Sequence, residues 1–208
     1  MLSRRASRNK SEESSNRDNV TRRVRLIEAA LELFSQQGYA ATGIKDIAAA
    51  ASAPHATLYY WFPGGKRELG VAAIVHGGAR YRAQLEACYP PDVDVVDATV
   101  SSFAKVASLL EASSYAGGCP IAMLVLEVAS SDDGLRNAAA EVFETWIEVM
   151  EQRFIGAGMS AELARQAAVE IFCLIEGAIL LSRSIRSPAP LHIAGQAAAN
   201  AVAAKLAI

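Results

Sequence analysis

The side chains best suited to recognition chemistry fall within one short segment, residues 55–61. In order, this segment carries His55, Thr57, Tyr59, Tyr60 and Trp61. Such side chains exchange hydrogen bonds with base edges and stack on planar groups, which is what a surface that reads DNA requires. The alternative is that these aromatic residues form part of a core. Leu58 and Phe62, four residues apart on one helical face, are the better core candidates.

Patterns typical of an enzyme or a metal site do not occur in the chain. The three histidines are scattered, at His55, His76 and His192, and no Ser-His-Asp, HExxH or GxxxxGK[ST] arrangement accompanies them. Cys88, Cys119 and Cys173 are far apart, which suggests neither a disulfide framework nor a zinc site. We therefore expect a protein that is not an enzyme and needs no metal or cofactor.

Charge is distributed unevenly along the 208 residues. The chain has 20 Lys and Arg against 22 Asp and Glu, but 11 of the basic residues and only 7 of the acidic ones lie in residues 1–68. A basic amino-terminal part favours a nucleic-acid partner there. The amino terminus lacks the apolar core of a secretory signal, and the longest apolar stretch, 169–181, contains two glutamates. We expect a cytoplasmic protein that does not enter membranes.

Hydrophobic periodicity predicts three helices in the basic part. Val24, Ile27, Leu31 and Phe34 form one apolar stripe, which Gly38 ends. Thr42 is placed to cap a second helix at 44–51, and Pro54 suits the first turn of a third at 54–61. Two short helices joined by a tight turn predict a helix-turn-helix.

The rest of the chain is also predicted to be helical. The expected helices are 66–88, 93–113, 120–129, 135–154, 161–185 and 191–206. No segment alternates with the period of two that a half-buried strand shows. The sequence therefore predicts an all-α protein.

Several of these motifs resemble the TetR/AcrR family of bacterial transcriptional regulators. The resemblance rests on residues 38–48 (GYAATGIKDIA), 57–62 (TLYYWF) and 66–69 (KREL). The FPGGK sequence at 62–66 is similar to the LmrA/YxaF-type branch of that family. Residues 118–122, 176–183 and 186–191 are similar to the ligand-binding domain of the same branch.

The resemblance implies both an architecture and a function. After a disordered basic arm at 1–19, a helix-turn-helix DNA-binding domain of three helices would occupy 20–66, and a helical ligand-binding and dimerisation domain 67–208. The implied function is a homodimeric repressor that a small hydrophobic molecule releases from a near-palindromic operator. The alternative is a helical, dimeric small-molecule-binding or interaction protein whose operator binding is degenerate.

Four positions near the turn depart from the family pattern. Ser52-Ala53 stand where the family usually has Gly-Val, Pro54 replaces Ser, and Ala56 replaces Gly. A serine is strained wherever a positive φ is required. Losing the serine hydroxyl at position 54 also removes one phosphate contact, so these departures keep the alternative open.

The resemblance and the chemistry of the side chains together assign roles on DNA. Phosphate contacts are implied for Thr42, Tyr59 and Lys66, and base reading is expected from His55, Thr57 and Tyr60. Lys45 would reach a phosphate or a base edge, and Arg22, Arg23 and Arg25 would follow the backbone. The basic residues of the arm, Arg4, Arg5, Arg8, Lys10 and Arg17, either add minor-groove contacts or have no role.

The same resemblance places a ligand among the later helices. Candidate ligand residues are Phe103, Cys119, Met123, Trp146, Phe172 and Glu176, although each apolar one could equally be core. Glu176 needs a partner inside an apolar run, which would be a cationic ligand, Arg183 or another internal base. Residues 67–88 would link the two domains.

The last two helices are the expected dimer interface. Ala164, Ala168, Ile171, Ile175 and Ile179 form one face, and Ala194, Ala197, Ala198, Ala201 and Ala204 another. The alternative is that both faces pack into the monomer's own core.

Overall fold

The computed structural model describes residues 2–208, with the side chains of residues 20–208, and this part of the chain is all-α. Helix bounds agree with the sequence prediction to within two residues, apart from the start of the first helix. In chain order the helices are α1 Leu2–Gln37, α2 Ile44–Ala50, α3 His55–Trp61, α4 Gly65–Cys88, α5 Val95–Ala112, α6 Pro120–Val128, α7 Asp133–Gly156, α8 Ala161–Ile185 and α9 Ala189–Leu206.

Helix α1 is continuous from Leu2 and so begins earlier than the predicted start near residue 20, while a separate arm at residues 1–19 stays a prediction. The segment contains no proline or glycine, and its Arg, Lys and Glu residues are good helix formers, so nothing in it ends the helix. The basic residues Arg4, Arg5, Arg8, Lys10 and Arg17 lie outside the described side chains.

Part of one apolar cluster, which continues into α4, α6 and α7, holds α1, α2 and α3 together as an amino-terminal head. Phe34 of α1, Ile47 of α2 and Leu58 of α3 are almost completely buried in it, with Phe62 just after α3. Leu58 and Phe62 are therefore core residues, as their spacing predicted. Side chains elsewhere on α3 are left free to face away from the head.

The remaining helices build a larger body behind the head. Helix α4 leaves the head at Gly65 and runs 24 residues along α7, and α5, α8 and α9 pack on one another at the far side. The aspartates Asp94 and Asp132 cap α5 and α7 by accepting two backbone N–H bonds each. No described helix is long and apolar enough to cross a bilayer.

The turn between α2 and α3 places a serine in the left-handed region. Ser52 has φ 49°, and its N–H donates to the carbonyl of Ala49 at 3.0 Å. The strain expected for a serine in this position is therefore present, because a Cβ disfavours positive φ. The short head tolerates it because its core fixes the helices on both sides of the turn.

We predict that Ser52→Gly raises the free energy of unfolding by about 0.5–1 kcal/mol, because glycine adopts this φ without strain. Urea denaturation measures the change. Ser101→Gly, on the exposed face of α5, is the matched control and should destabilise the protein, because there glycine replaces a helical residue. A destabilised Ser52→Gly variant would contradict this account of the turn.

Candidate functional site

Helix α3 presents its polar and aromatic side chains on the surface of the head. Tyr60 is 72% exposed and Tyr59 46% exposed, and His55 is also exposed. The His55 and Tyr59 rings, one helical turn apart, meet edge to face with centroids 5.3 Å apart. Large aromatic side chains this exposed contribute little to the core, so this face is available to a partner.

Two other residues of the segment lie closer to the protein. Thr57 is half-buried, and Trp61 packs against the core of the head while its ring meets that of Tyr60 at 5.0 Å. The hypothesis that the aromatic residues are core therefore holds for Trp61 and not for the two tyrosines. The exposed reading face consists of His55, Tyr59 and Tyr60, with Thr57 at its edge.

Thr42 does not have the position that the sequence predicted. Gly43 is the N-cap of α2, and its N–H donates to the Asp46 carboxylate at 3.2 Å. The Thr42 side chain is 1% exposed, donates to the Gly38 carbonyl at 2.7 Å and accepts from Gln37 at 3.3 Å. Its hydroxyl is thus used to hold the α1–α2 turn and is not offered to solvent.

Lys66, at the start of α4, is directed toward the same turn. Its ammonium lies 4.4 Å above the centre of the Tyr39 ring and donates to the Ala40 carbonyl at 3.3 Å. Partial burial lowers the pKa of Lys66, and the nearby Glu127 carboxylate opposes that shift. Lys66 is only partly exposed, so a phosphate would share it with the turn.

The other predicted DNA residues lie on the surface of the head. Lys45 on α2 and Arg22 on α1 are exposed. Arg23 is exposed as well, and its guanidinium lies 5.3 Å from the centre of the Phe62 ring. Their DNA contacts stay predictions, but each can reach a partner without rearranging the core.

Two acidic residues of the body hold segments at or next to the head, and no motif in the sequence indicates either contact. Glu127 of α6 accepts the backbone N–H groups of Tyr39 at 3.0 Å and Ala40 at 2.9 Å. Asp132, at the start of α7, accepts from Arg67 of α4 at 2.7 Å, and this bond is the main cause that holds the pKa of Asp132 below its usual range. The partners are 88 and 65 residues apart, so no local pattern reveals them.

A cavity of about 370 Å³ lies in the body, between α4, α5, α7 and α8. Four of the predicted ligand residues line it: Cys119, Trp146, Phe172 and Glu176. Trp146 and Phe172 stack with centroids 6.0 Å apart, and the Trp146 N–H donates to the Gly78 carbonyl at 2.9 Å. The wall is mainly apolar, with Lys105 and Glu176 as its charged residues.

Two predicted ligand residues lie elsewhere. Phe103 is fully buried against Gly195, in the packing between α5 and α9. Met123 lies on α6, where its sulfur accepts from Arg183 at 3.2 Å, and neither Phe103 nor Met123 lines the cavity. Their ligand contacts stay predictions, because an apolar stripe on a helix does not reveal whether it faces a cavity or a neighbouring helix.

Glu176 lies beside the thiol of Cys119, and the two side chains interact, whereas Arg183 is directed at Met123. Burial raises the pKa of Glu176, although the thiol opposes the shift, and burial raises the pKa of Cys119 as well. The carboxyl therefore makes a polar point on a mainly apolar wall, where a ligand group can bind.

The faces predicted to form a dimer interface point mostly into the monomer. Ala164, Ala168 and Ile171 are buried in the core of the body, and Ile175 and Ile179 line the cavity. On α9, Ala198 is buried and Ala197 and Ala204 are exposed. The exposed large apolar residues of α8 and α9 are instead Val169, Leu180, Leu181, Ile185 and Ile193.

Comparison with known families matches both parts of the chain. Residues 26–73, which include α2 and α3, match the family described as bacterial regulatory proteins, tetR family. Residues 95–197, which form most of the cavity-bearing body, match the family described as transcriptional regulator LmrA/YxaF-like, C-terminal domain.

Individual relatives cover nearly the whole chain. The HTH-type transcriptional regulator LmrA of Bacillus subtilis is 30% identical over 82% of this chain and 92% of its own length. The uncharacterized HTH-type transcriptional regulator YxaF of the same organism is 31% identical over 81% and 88%. A crystal structure of a TetR transcriptional regulator from Chloroflexus aurantiacus superimposes with a TM-score of 0.75, at 27% identity over 90% of this chain and 96% of its own.

We predict that Glu176→Gln makes the protein more stable than the wild type at pH 8. The pKa of Glu176 is raised by folding, so the carboxyl weakens the folded state as pH rises from the ordinary value of 4.5 through the higher folded pKa. The glutamine amide of the variant does not ionise and carries no such penalty. The melting temperature of the variant should therefore be a few degrees above that of the wild type at pH 8, and equal to it at or below pH 4.5.

Thermal denaturation across this pH range measures the difference. Glu148→Gln, on the exposed side of α7, is the control, and its melting temperature should equal that of the wild type at every pH. A Glu176→Gln variant that is less stable at pH 8 would mean that the carboxylate has a partner that favours its charge.

Proposed function

The chain belongs to the TetR family of bacterial regulatory proteins, and from this premise we propose that it is a repressor that a small hydrophobic molecule releases from its operator. Membership makes it a DNA-binding transcriptional regulator of helix-turn-helix type, and its relatives are regulators, which are not enzymes. The observation that carries the proposal is the pairing of an exposed aromatic face on α3 with a largely apolar cavity in the body.

On DNA, α3 is the element that enters the major groove. Tyr60 and His55 read base edges from its exposed face, with Thr57 beside them, and Tyr59 contacts a phosphate. Lys45, Arg22 and Arg23 add phosphate contacts around this face. Thr42 and Lys66 act by holding the α1–α2 turn, with the Lys66 ammonium close enough to the surface to share a phosphate.

Two copies of the chain are needed to read a near-palindromic operator. A single α3 of seven residues covers one half-site, and a two-fold dimer places a second one about 34 Å away. Leu180, Leu181 and Ile185 on α8, together with Ile193 on α9, give an exposed apolar surface that a second copy can bury.

The ligand acts through the helix that links cavity and head. Tyr81, Leu85 and Cys88, in the last two turns of α4, line the cavity, and the first turn of α4 lies in the head. A hydrophobic molecule with a polar group for Glu176 fits this wall. Release follows if the molecule binds more tightly to the form in which the two heads are wrongly spaced for DNA.

The DNA part of the proposal is tested on a duplex enriched from random DNA by the purified protein. We predict that Tyr60→Ala lowers the preference for this duplex over a scrambled one by about 10-fold or more, because a base contact is lost. Lys45→Ala should weaken binding to both duplexes and reduce the slope of log affinity against log salt by about 0.9, because a phosphate contact is lost.

Lys205→Ala is the charge-matched control, since Lys205 pairs with Glu170 at the far end of the body. It should leave both affinities unchanged. If no duplex is enriched, the result favours the alternative in which the chain is a helical, dimeric binding protein with degenerate operator binding. The strained Ser52 and the missing hydroxyl at Pro54 are the physical reasons for that alternative.

The cavity is tested with anilinonaphthalene sulfonate, a fluorescent probe of apolar sites. We predict that one probe molecule binds per chain. In a Trp61→Phe background, which leaves Trp146 as the single tryptophan, the bound probe should be excited by energy transfer from Trp146. Ile175→Phe narrows the cavity and should weaken probe binding about 10-fold or more, because the probe then competes with the new ring for space. Leu126→Ala removes an exposed apolar side chain outside the cavity and should change nothing; an equal loss in both variants would place the probe on the surface.

A further inference from the structure

The two ends of α6 contact different parts of the molecule. At its start, Cys119 caps the helix and lines the cavity. Gly117 and Gly118, just before it, line the cavity as well. In its last turn, Glu127 reaches the head. The helix has nine residues and is therefore only about 13 Å long, so a shift at the cavity wall moves both ends together.

Glu127 holds the α1–α2 turn by both of its carboxylate oxygens. One oxygen accepts the N–H of Tyr39 and the other the N–H of Ala40, at 3.0 and 2.9 Å. Bonds of this kind to a charged acceptor are stronger than neutral ones. Lys66 of α4 holds the same segment as well, through the Ala40 carbonyl and the Tyr39 ring.

The turn is shaped to receive this carboxylate. Gly38 has φ 87°, and a Cβ on it would collide with the Glu127 carboxylate, so only glycine fits both the backbone and the contact. Four residues after Ala40, α2 begins, and it carries Lys45. The position of the turn therefore sets where the helix-turn-helix starts.

We propose that Glu127 is a positioning residue, which couples the cavity end of α6 to the orientation of α2 and α3. An occupant that displaces the start of α6 would pull the carboxylate from the two N–H groups and free the turn. By reciprocity, DNA bound at the head must alter the start of α6. This inference rests on the proposed function and adds a second link beside α4.

The test uses the full chain and the enriched duplex, with hydrogen exchange read at two places. In the free protein, Glu127→Ala should speed exchange of the Tyr39 and Ala40 amides about 10-fold or more, because a charge-assisted bond is lost from each. In the wild type, saturating duplex should change exchange at residues 117–123, and in Glu127→Ala it should not.

Two further variants separate positioning from general stability. Glu127→Gln keeps one acceptor oxygen, so it should retain part of the protection and part of the response to duplex. Glu141→Ala removes an equal charge from an exposed position of α7 and should behave as the wild type. Melting temperatures are measured beside each variant to confirm that the body is folded.

The outcomes distinguish this inference from the proposed function. Failure to enrich any duplex refutes the proposed function and the inference with it. If a duplex is bound and residues 117–123 respond equally in the wild type and in Glu127→Ala, or do not respond in the wild type, only the inference is overturned.

Discussion

The helices that meet DNA are too short to hold their own shape. Helices α2 and α3 have seven residues each, and isolated helices below about 12–15 residues are marginal in water. Their geometry depends on the apolar residues that pack them on α1, namely Ile47 of α2, Leu58 of α3 and Phe62 just after it, together with Phe34 of α1. Because the reading face must stay exposed, it cannot strengthen that core. The head is therefore stable only as part of a larger scaffold, and whatever moves the scaffold moves the reading face.

The scaffold extends that dependence to the cavity. Helix α4 has 24 residues, about 36 Å, and is packed so closely on α7 that Gly78 leaves no room for a Cβ beside Val142. The Trp146 N–H ties α7 to the Gly78 carbonyl at the cavity wall. Close packing of this kind lets a helix move as a unit rather than bend locally. Beside α4 itself, the Glu127 carboxylate ties α6 to the head, and the Arg67–Asp132 pair ties the start of α4 to α7.

Sequence patterns predicted the helices and the reading face better than the cavity and the tethers. Periodicity and breakers placed eight helices within two residues, because Gly38, Pro54 and the Pro63-Gly64-Gly65 run act locally. Tyr59 and Tyr60 were correctly separated from Leu58 and Phe62. Phe103 and Met123 do not line the cavity, and the predicted faces of α8 and α9 pack mostly into the monomer, because an apolar face looks the same whether it meets a cavity, a core or a second copy. The role of Glu127 and the buried position of Thr42 could not be predicted, because both depend on contacts made by folding.

The central claim is that the cavity and the reading face share one equilibrium. It is tested most directly by the affinity for the enriched duplex, measured without ligand and with a saturating compound that is known to quench Trp146. The account predicts that the compound weakens DNA binding by about 5-fold to 150-fold, and that the duplex weakens binding of the compound by the same factor. Equal affinity for the duplex in both conditions, with the cavity demonstrably filled, would contradict it.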